Sequence, residues 1–121
     1  MKNIGVWFFG SVFILAGILH FASPDVFIRL IPPGWPARAV LNALAGIAEI
    51  LSGIGFLVPR TRRAAGYVLC LMLLVFWVLH GIHLVYPPNP EWPYYGYVIR
   101  FCLQPVLIFL VWKLKDHKQV V

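Results

Sequence analysis

Acidic side chains are almost missing from this chain: four Asp and Glu stand against ten Lys and Arg in 121 residues, and charged groups of both signs reach only 12%. A soluble domain carries roughly 25% charged residues, so a water-facing surface of the usual kind is excluded. Cysteine is as scarce. The two present, Cys70 and Cys102, form no Cys-x-x-Cys pair, which argues against a thiol-disulfide oxidoreductase. They are expected at different depths, too far apart to bridge within one chain. The polar/apolar alternation of transmembrane barrel strands is also absent, as are a haem-attachment motif and a nucleotide-binding fingerprint.

What fills the chain instead is apolar residues, 61% of the total, with a mean hydropathy of +0.84. A helix crossing a hydrocarbon layer of roughly 30 Å needs about 20 mostly apolar residues. Four segments meet or approach that length: Ile4 to Ala22, Ala39 to Val58, Ala64 to Tyr86 and Tyr97 to Trp112. Backbone amides in lipid must be satisfied within the segment, so the reading is an all-α membrane protein, a single domain over 1–121 built as a four-helix transmembrane bundle. The first segment follows Lys2 as a secretory signal would. It is too long for one, however, and Pro24 follows the small-residue site in "HFAS", so it is expected to stay as the first helix.

Basic residues on the cytoplasmic side set the orientation of membrane spans. Lys2, Arg60, Arg62, Arg63, Lys113, Lys115 and Lys118 fall on the side shared by the termini and the middle loop, against Arg29, Arg38 and Arg100 on the other. Both termini are therefore expected in the cytoplasm. The net charge of +6 is a topology signal, with no motif or basic groove for nucleic acid. His117, in the charged tail, is read as solvated.

The two outer loops, "SPDVFIRLIPPGWPAR" and "PPNPEWP", are rich in proline and tryptophan, and their shared Pro-Pro and Trp-Pro elements hint at a duplicated hairpin. Ser23 can cap a short helix with Pro24 at its first position, and Phe27, Leu30 and Ile31 would lie in the headgroup region as an interfacial roof. Trp35, Trp92, Tyr94, Tyr95 and Tyr97 are most simply an aromatic belt, although some could wall a ligand entrance.

Polar residues interrupt the spans. In the second, Asn42, Gly46, Glu49 and Gly53 share one helical face, a small-residue stripe that turns Glu49 into the bundle near mid-membrane. In the fourth, Arg100 and Gln104 stand one turn apart, and Pro105 removes the bond that the Phe101 carbonyl would have received, which predicts a kink or a free carbonyl. His20, His80 and His83 lie in the outer halves of their spans. Leaving such groups in lipid costs about 2.5 to 3.5 kcal/mol for each charge, so His20, Glu49, His80, His83, Arg100 and Gln104 are expected to converge on one outward-opening cavity. Several roles are open within it. Glu49 and Arg100 are expected within direct or water-bridged reach of each other, as a structural ion pair or in a catalytic role. His20, Glu49, His80 and His83 offer an N/O set for a metal ion, or the histidines simply hydrogen-bond to neighbours.

The stretches "AGILHFASPDVFIRLIPP", "GIAEILSGIGFLVPRTRRAAG" and "RFCLQPVLIFLVW" resemble small bacterial DoxX-like integral membrane proteins in order and spacing. The resemblance covers nearly the whole chain and rests on His20, Phe21, Pro24, Glu49, Pro59, Arg60, Arg100, Leu103 and Gln104. It implies a multi-pass protein of the bacterial inner membrane, in a family associated with quinone-linked sulfur oxidation, quinone and oxidative-stress resistance, and assembly of membrane partners. "WVLHGIHL" departs from the pattern, where many relatives carry Pro and Asn.

Two functions of different class follow. One is a quinone-linked or metal-dependent membrane oxidoreductase, or its membrane subunit. In it His80, His83 and Glu49 would be catalytic and His20, Arg100 and Gln104 would bind the ligand, with a quinone or metal ion as cofactor. The other is a non-catalytic module that binds a membrane lipid or other small lipophile, or a partner subunit or second copy.

Overall fold

The structure is a computed structural model that describes residues 4–118. Lys2, part of the charge asymmetry, lies outside the described residues. The chain forms α1 (Ile4–Ala22), a short α2 (Pro24–Ile28), α3 (Arg38–Leu57), α4 (Arg62–Val85) and α5 (Tyr94–Leu114). The four long helices are each long and apolar enough to cross a membrane, and together they make a multi-pass, all-helical membrane protein. Large apolar side chains such as Trp7, Leu51, Leu71 and Phe109 stay exposed around them, the arrangement expected where lipid and not water surrounds the bundle.

The helices associate as two hairpins. In the first, α1 packs along α3 through glycines on both: a Cβ on Gly53 would meet the Gly10 carbonyl oxygen at 2.8 Å, and one on Gly17 would meet the Gly46 carbonyl oxygen at 2.6 Å. The stripe read on α3 is thus answered by a matching pair, seven residues apart, on α1. Such contacts replace the hydrophobic effect, which gives no drive between helices in lipid. In the second hairpin α4 packs along α5, where Gly66 leaves room only for the Lys115 side chain and Trp77 stacks at a tilt on Phe101, with ring centroids 5.5 Å apart. The α5 helix continues through Pro105 without a break. Gln104 beside it donates to the Leu73 carbonyl of α4 at 3.3 Å.

The hairpins join firmly at the end that carries both termini. Gly5 faces Leu114, Gly55 faces Ala65, and a buried cluster of Val6, Phe9, Phe13, Phe56, Leu69, Leu73 and Val111 fills the space between. Arg62, read in the sequence only as a topology charge, is 2% exposed there. Its Nε donates to the Phe56 carbonyl at 2.8 Å, Nη2 to Leu57 at 3.1 Å and Nη1 to His117 at 2.7 Å. Two of these acceptors are orphan carbonyls at the C-terminus of α3, where a cation also complements the helix dipole. His117, read in the sequence as solvated, is half-buried and supplies its backbone carbonyl to Arg62. Lys115 is also buried, its ammonium 2.7 Å from Asp116 Oδ2 and 4.0 Å from the centre of the Trp112 ring.

At the opposite end, residues 23–37 lie over the bundle. Ser23 occupies the N-cap position of α2 but makes no side-chain capping bond. Phe27, Leu30 and Ile31 turn towards the space between the helices. Arg38 holds this roof by donating to the carbonyls of Ile28 and Ile31 at 2.8 Å each. The preceding Ala37 has φ 51°, a left-handed conformation that costs a non-glycine residue about 1–3 kcal/mol. Tyr97 leaves the aromatic belt in which the sequence placed it. It is 2% exposed, and its hydroxyl donates to the Asn89 carbonyl at 2.8 Å and accepts from the Asn89 amide at 3.0 Å. Trp35, Trp92, Tyr94 and Tyr95 remain exposed.

Candidate functional site

Where the hairpins part, towards the roof, they enclose a cavity of about 530 Å³, within the 300–1,000 Å³ usual for small-molecule sites. All six polar residues singled out in the sequence line it: His20 from α1, Glu49 from α3, His80 and His83 from α4, Arg100 and Gln104 from α5. The rest of the wall is almost wholly apolar, with Phe8, Phe9, Phe13 and Ala16 on one side, Phe76, Leu79 and Leu107 on the other, and Phe27, Leu30, Ile31 and Trp35 above.

Two polar clusters divide this lining. The first is centred on His20, 8% exposed. Its Nδ1 donates to Asn42 Oδ1 at 2.7 Å, while Asn42 Nδ2 donates back to the His20 carbonyl at 2.9 Å. With Nδ1–H committed to Asn42, Nε2 faces Glu49 Oε2 at 3.0 Å. One proton, on imidazole or carboxyl, is needed to keep two lone pairs from opposing each other there. The approach is an ion-pair contact and not an aligned hydrogen bond, so Glu49 Oε2 remains without a hydrogen-bond partner although Glu49 is 5% exposed. The Phe27 ring stacks on the imidazole at 4.0 Å. Asn42 completes this unit, and its signal was in the sequence: it lies seven residues before Glu49 on the same face.

The second cluster joins α4, α5 and the roof. His83, 3% exposed, donates from Nε2 to the Leu30 carbonyl at 2.7 Å and so latches the roof to α4. His80 stands beside it with ring centroids 6.0 Å apart, and neither Nδ1 has a hydrogen-bond partner. Arg100, half-buried, is close enough to act on both histidines through space. It has no hydrogen bond or ion pair among the described residues.

Two expectations change. Glu49 does not pair directly with Arg100; its partner is His20, because the α1–α3 glycine seam brings those two helices closest and sets both side chains on it. Nor do His20, Glu49, His80 and His83 gather as metal ligands. They stand as two pairs on opposite hairpins, and among the described residues no group of three or more His, Cys, Asp or Glu is placed to hold a metal ion. Cys70 and Cys102 are both free.

The arrangement offers an apolar-walled chamber with an imidazole–carboxyl pair on one wall, able to hold and pass a single proton, and on the other a guanidinium that has no ion pair among the described residues. No curated protein and no solved structure matches this chain. A family model described as "Domain of unknown function (DUF8561)" matches residues 9–115, which take in α3, α4, α5 and most of α1, and the chain belongs to that family.

Proposed function

We propose that this protein binds a small membrane-soluble molecule in the chamber between its hairpins, with the polar part of the ligand among His20, Glu49, His80, His83, Arg100 and Gln104. One observation carries the reading: four helices each turn polar side chains into a single apolar-walled cavity, although burying such groups in a membrane protein is costly unless they are used. The seven-to-three split of basic residues supports an orientation with both termini in the cytoplasm, and the sequence likeness to DoxX-like proteins supports a bacterial inner-membrane location. Native mass spectrometry of protein extracted in mild detergent tests the binding. A retained small lipophile, lost when Ala45 in the cavity wall is replaced by Trp, is the expected result. Equal retention by Ala45→Trp would reject the chamber as the site.

A second reading, a quinone-linked oxidoreductase or its membrane subunit, is favoured by one feature, the His20–Glu49 pair. The pair lines the cavity, where a bound quinol could deliver protons to it as its electrons leave for a partner subunit or metal centre. Quinol oxidation by membranes that contain the protein, abolished by both His20→Asn and Glu49→Gln, would establish this reading. Unchanged rates in both variants would remove it.

A further inference from the structure

Glu49 and Arg100 carry opposite charges but do not meet, because the Glu49 carboxyl is engaged by His20, 3.0 Å away on the α1–α3 wall. Arg100 is left without a carboxylate of its own, a cation with no hydrogen bond or ion pair among the described residues, on the wall of the chamber. A guanidinium stays charged at any working pH and offers its N–H groups as a planar fork that fits a carboxylate with two parallel bonds. An uncompensated charge in such a place is strongly unfavourable, and an anion that pairs with it relieves the cost.

The body of the ligand is set by the rest of the wall. Phe9, Phe13, Phe76 and Leu107 are apolar and deep, whereas Phe8 is 60% and Val12 43% exposed although both also line the cavity. The chamber therefore reaches the lipid-facing surface along α1, on the side where α1 and α5 touch only sparingly. A hydrocarbon chain can lie across that edge with its head inside. From these features we infer that the ligand is a single-chain carboxylic acid of fatty-acid type, its carboxylate on Arg100 and its chain along the phenylalanine wall. This rests on the chamber being the binding site and adds the charge and chain number of what it binds.

The test compares three probes on protein in zwitterionic nanodiscs: palmitate carrying ¹³C at its carboxyl, hexadecanol with the same chain and no charge, and phosphatidylglycerol as an anionic two-chain lipid. Palmitate is expected to bind at least about tenfold more tightly than hexadecanol, and Arg100→Gln to remove that advantage, as loss of one partner from a desolvated charge pair does. Arg100→Lys should keep part of the preference and shift the ¹³C resonance, since it keeps the charge but loses the fork. Equal binding of palmitate and hexadecanol by the unaltered protein overturns the inference without requiring any variant to fold. Displacement of palmitate by stoichiometric phosphatidylglycerol overturns it in favour of a lipid headgroup. If both single-chain probes bind equally and Ala45→Trp abolishes both, the anion is wrong and the chamber stands. If Ala45→Trp alters neither, both readings fall.

Discussion

At the terminal end the four long helices close on Val6, Phe9, Phe56, Leu69 and Val111, all but fully buried, whereas at the loop end the same helices stand apart around a chamber with seven polar side chains in its wall. Large apolar side chains are exposed along the helices towards both ends, Trp7 and Trp112 at one and Val85 and Tyr95 at the other. The difference lies in which residues face inward and in what each end asks of a polar group. Buried cations occur at the terminal end too, but Arg62 and Lys115 there are tied to carbonyls, a carboxylate and an aromatic ring. At the loop end Glu49 Oε2 and the Nδ1 atoms of His80 and His83 keep unused hydrogen-bonding capacity, and Arg100 makes no hydrogen bond or ion pair among the described residues. A polar group that is fully spent holds structure, and one that is not is available to a ligand.

That contrast can be broken first where the hairpins are knit. Gly53→Val puts a side chain against the Gly10 carbonyl oxygen and should cost more than about 3 kcal/mol, read as loss of monodisperse protein in detergent. Next, Arg62→Met removes three hydrogen bonds; about 3 kcal/mol of stability should go, with ligand retention intact in whatever remains folded. At the loop end a double-mutant cycle sharpens the contrast. His20→Asn with Glu49→Gln should show a coupling of about 1–2 kcal/mol, and Glu49→Gln with Arg100→Met less than about 0.5 kcal/mol, because the first pair is in contact and the second is not. A larger coupling in the second cycle would put Glu49 with Arg100 after all.

Smaller effects probe the roof and the tail. Ala37→Gly relieves the left-handed backbone and should gain up to about 1 kcal/mol, measured as a rise in thermal midpoint. The smallest response is to acid. Lys115 and then Arg63 hold the Asp116 carboxyl below its ordinary value. Its contribution is present above the ordinary carboxylate range and fades as pH falls through the depressed value. Thermal melts of Asp116→Asn and the unaltered protein should therefore differ slightly at neutral pH and coincide in strong acid.

The spans were legible in the sequence because lipid imposes one requirement on every residue of a helix, and hydropathy reports it directly. The inward turn of Glu49 was legible for a similar reason, since a periodic stripe of small residues fixes a face without knowledge of the partner. Partners themselves were not. Glu49 was matched to Arg100 by charge and depth, yet Gly10 and Gly17 of α1 dictate that α3 lies closest to His20. Tyr97 was placed by residue type at the interface, and only the fold of the 86–93 loop brings Asn89 back over its hydroxyl. Arg62 was counted as a topology signal, and nothing local announces that a carbonyl 55 residues away completes its set.

That last bond orders events in time as well as in space. When the ribosome has made the first hairpin and the turn after it, Arg62 can already grip Phe56 and Leu57, but its remaining arm has no protein acceptor until residue 117 has been synthesised and α5 has crossed the membrane. The end of the second span is therefore finished last, by the tail. A chain truncated before His117 would insert all four spans and still leave that seam open, an incomplete protein distinguishable by proteases that sample the cut end and not by its topology.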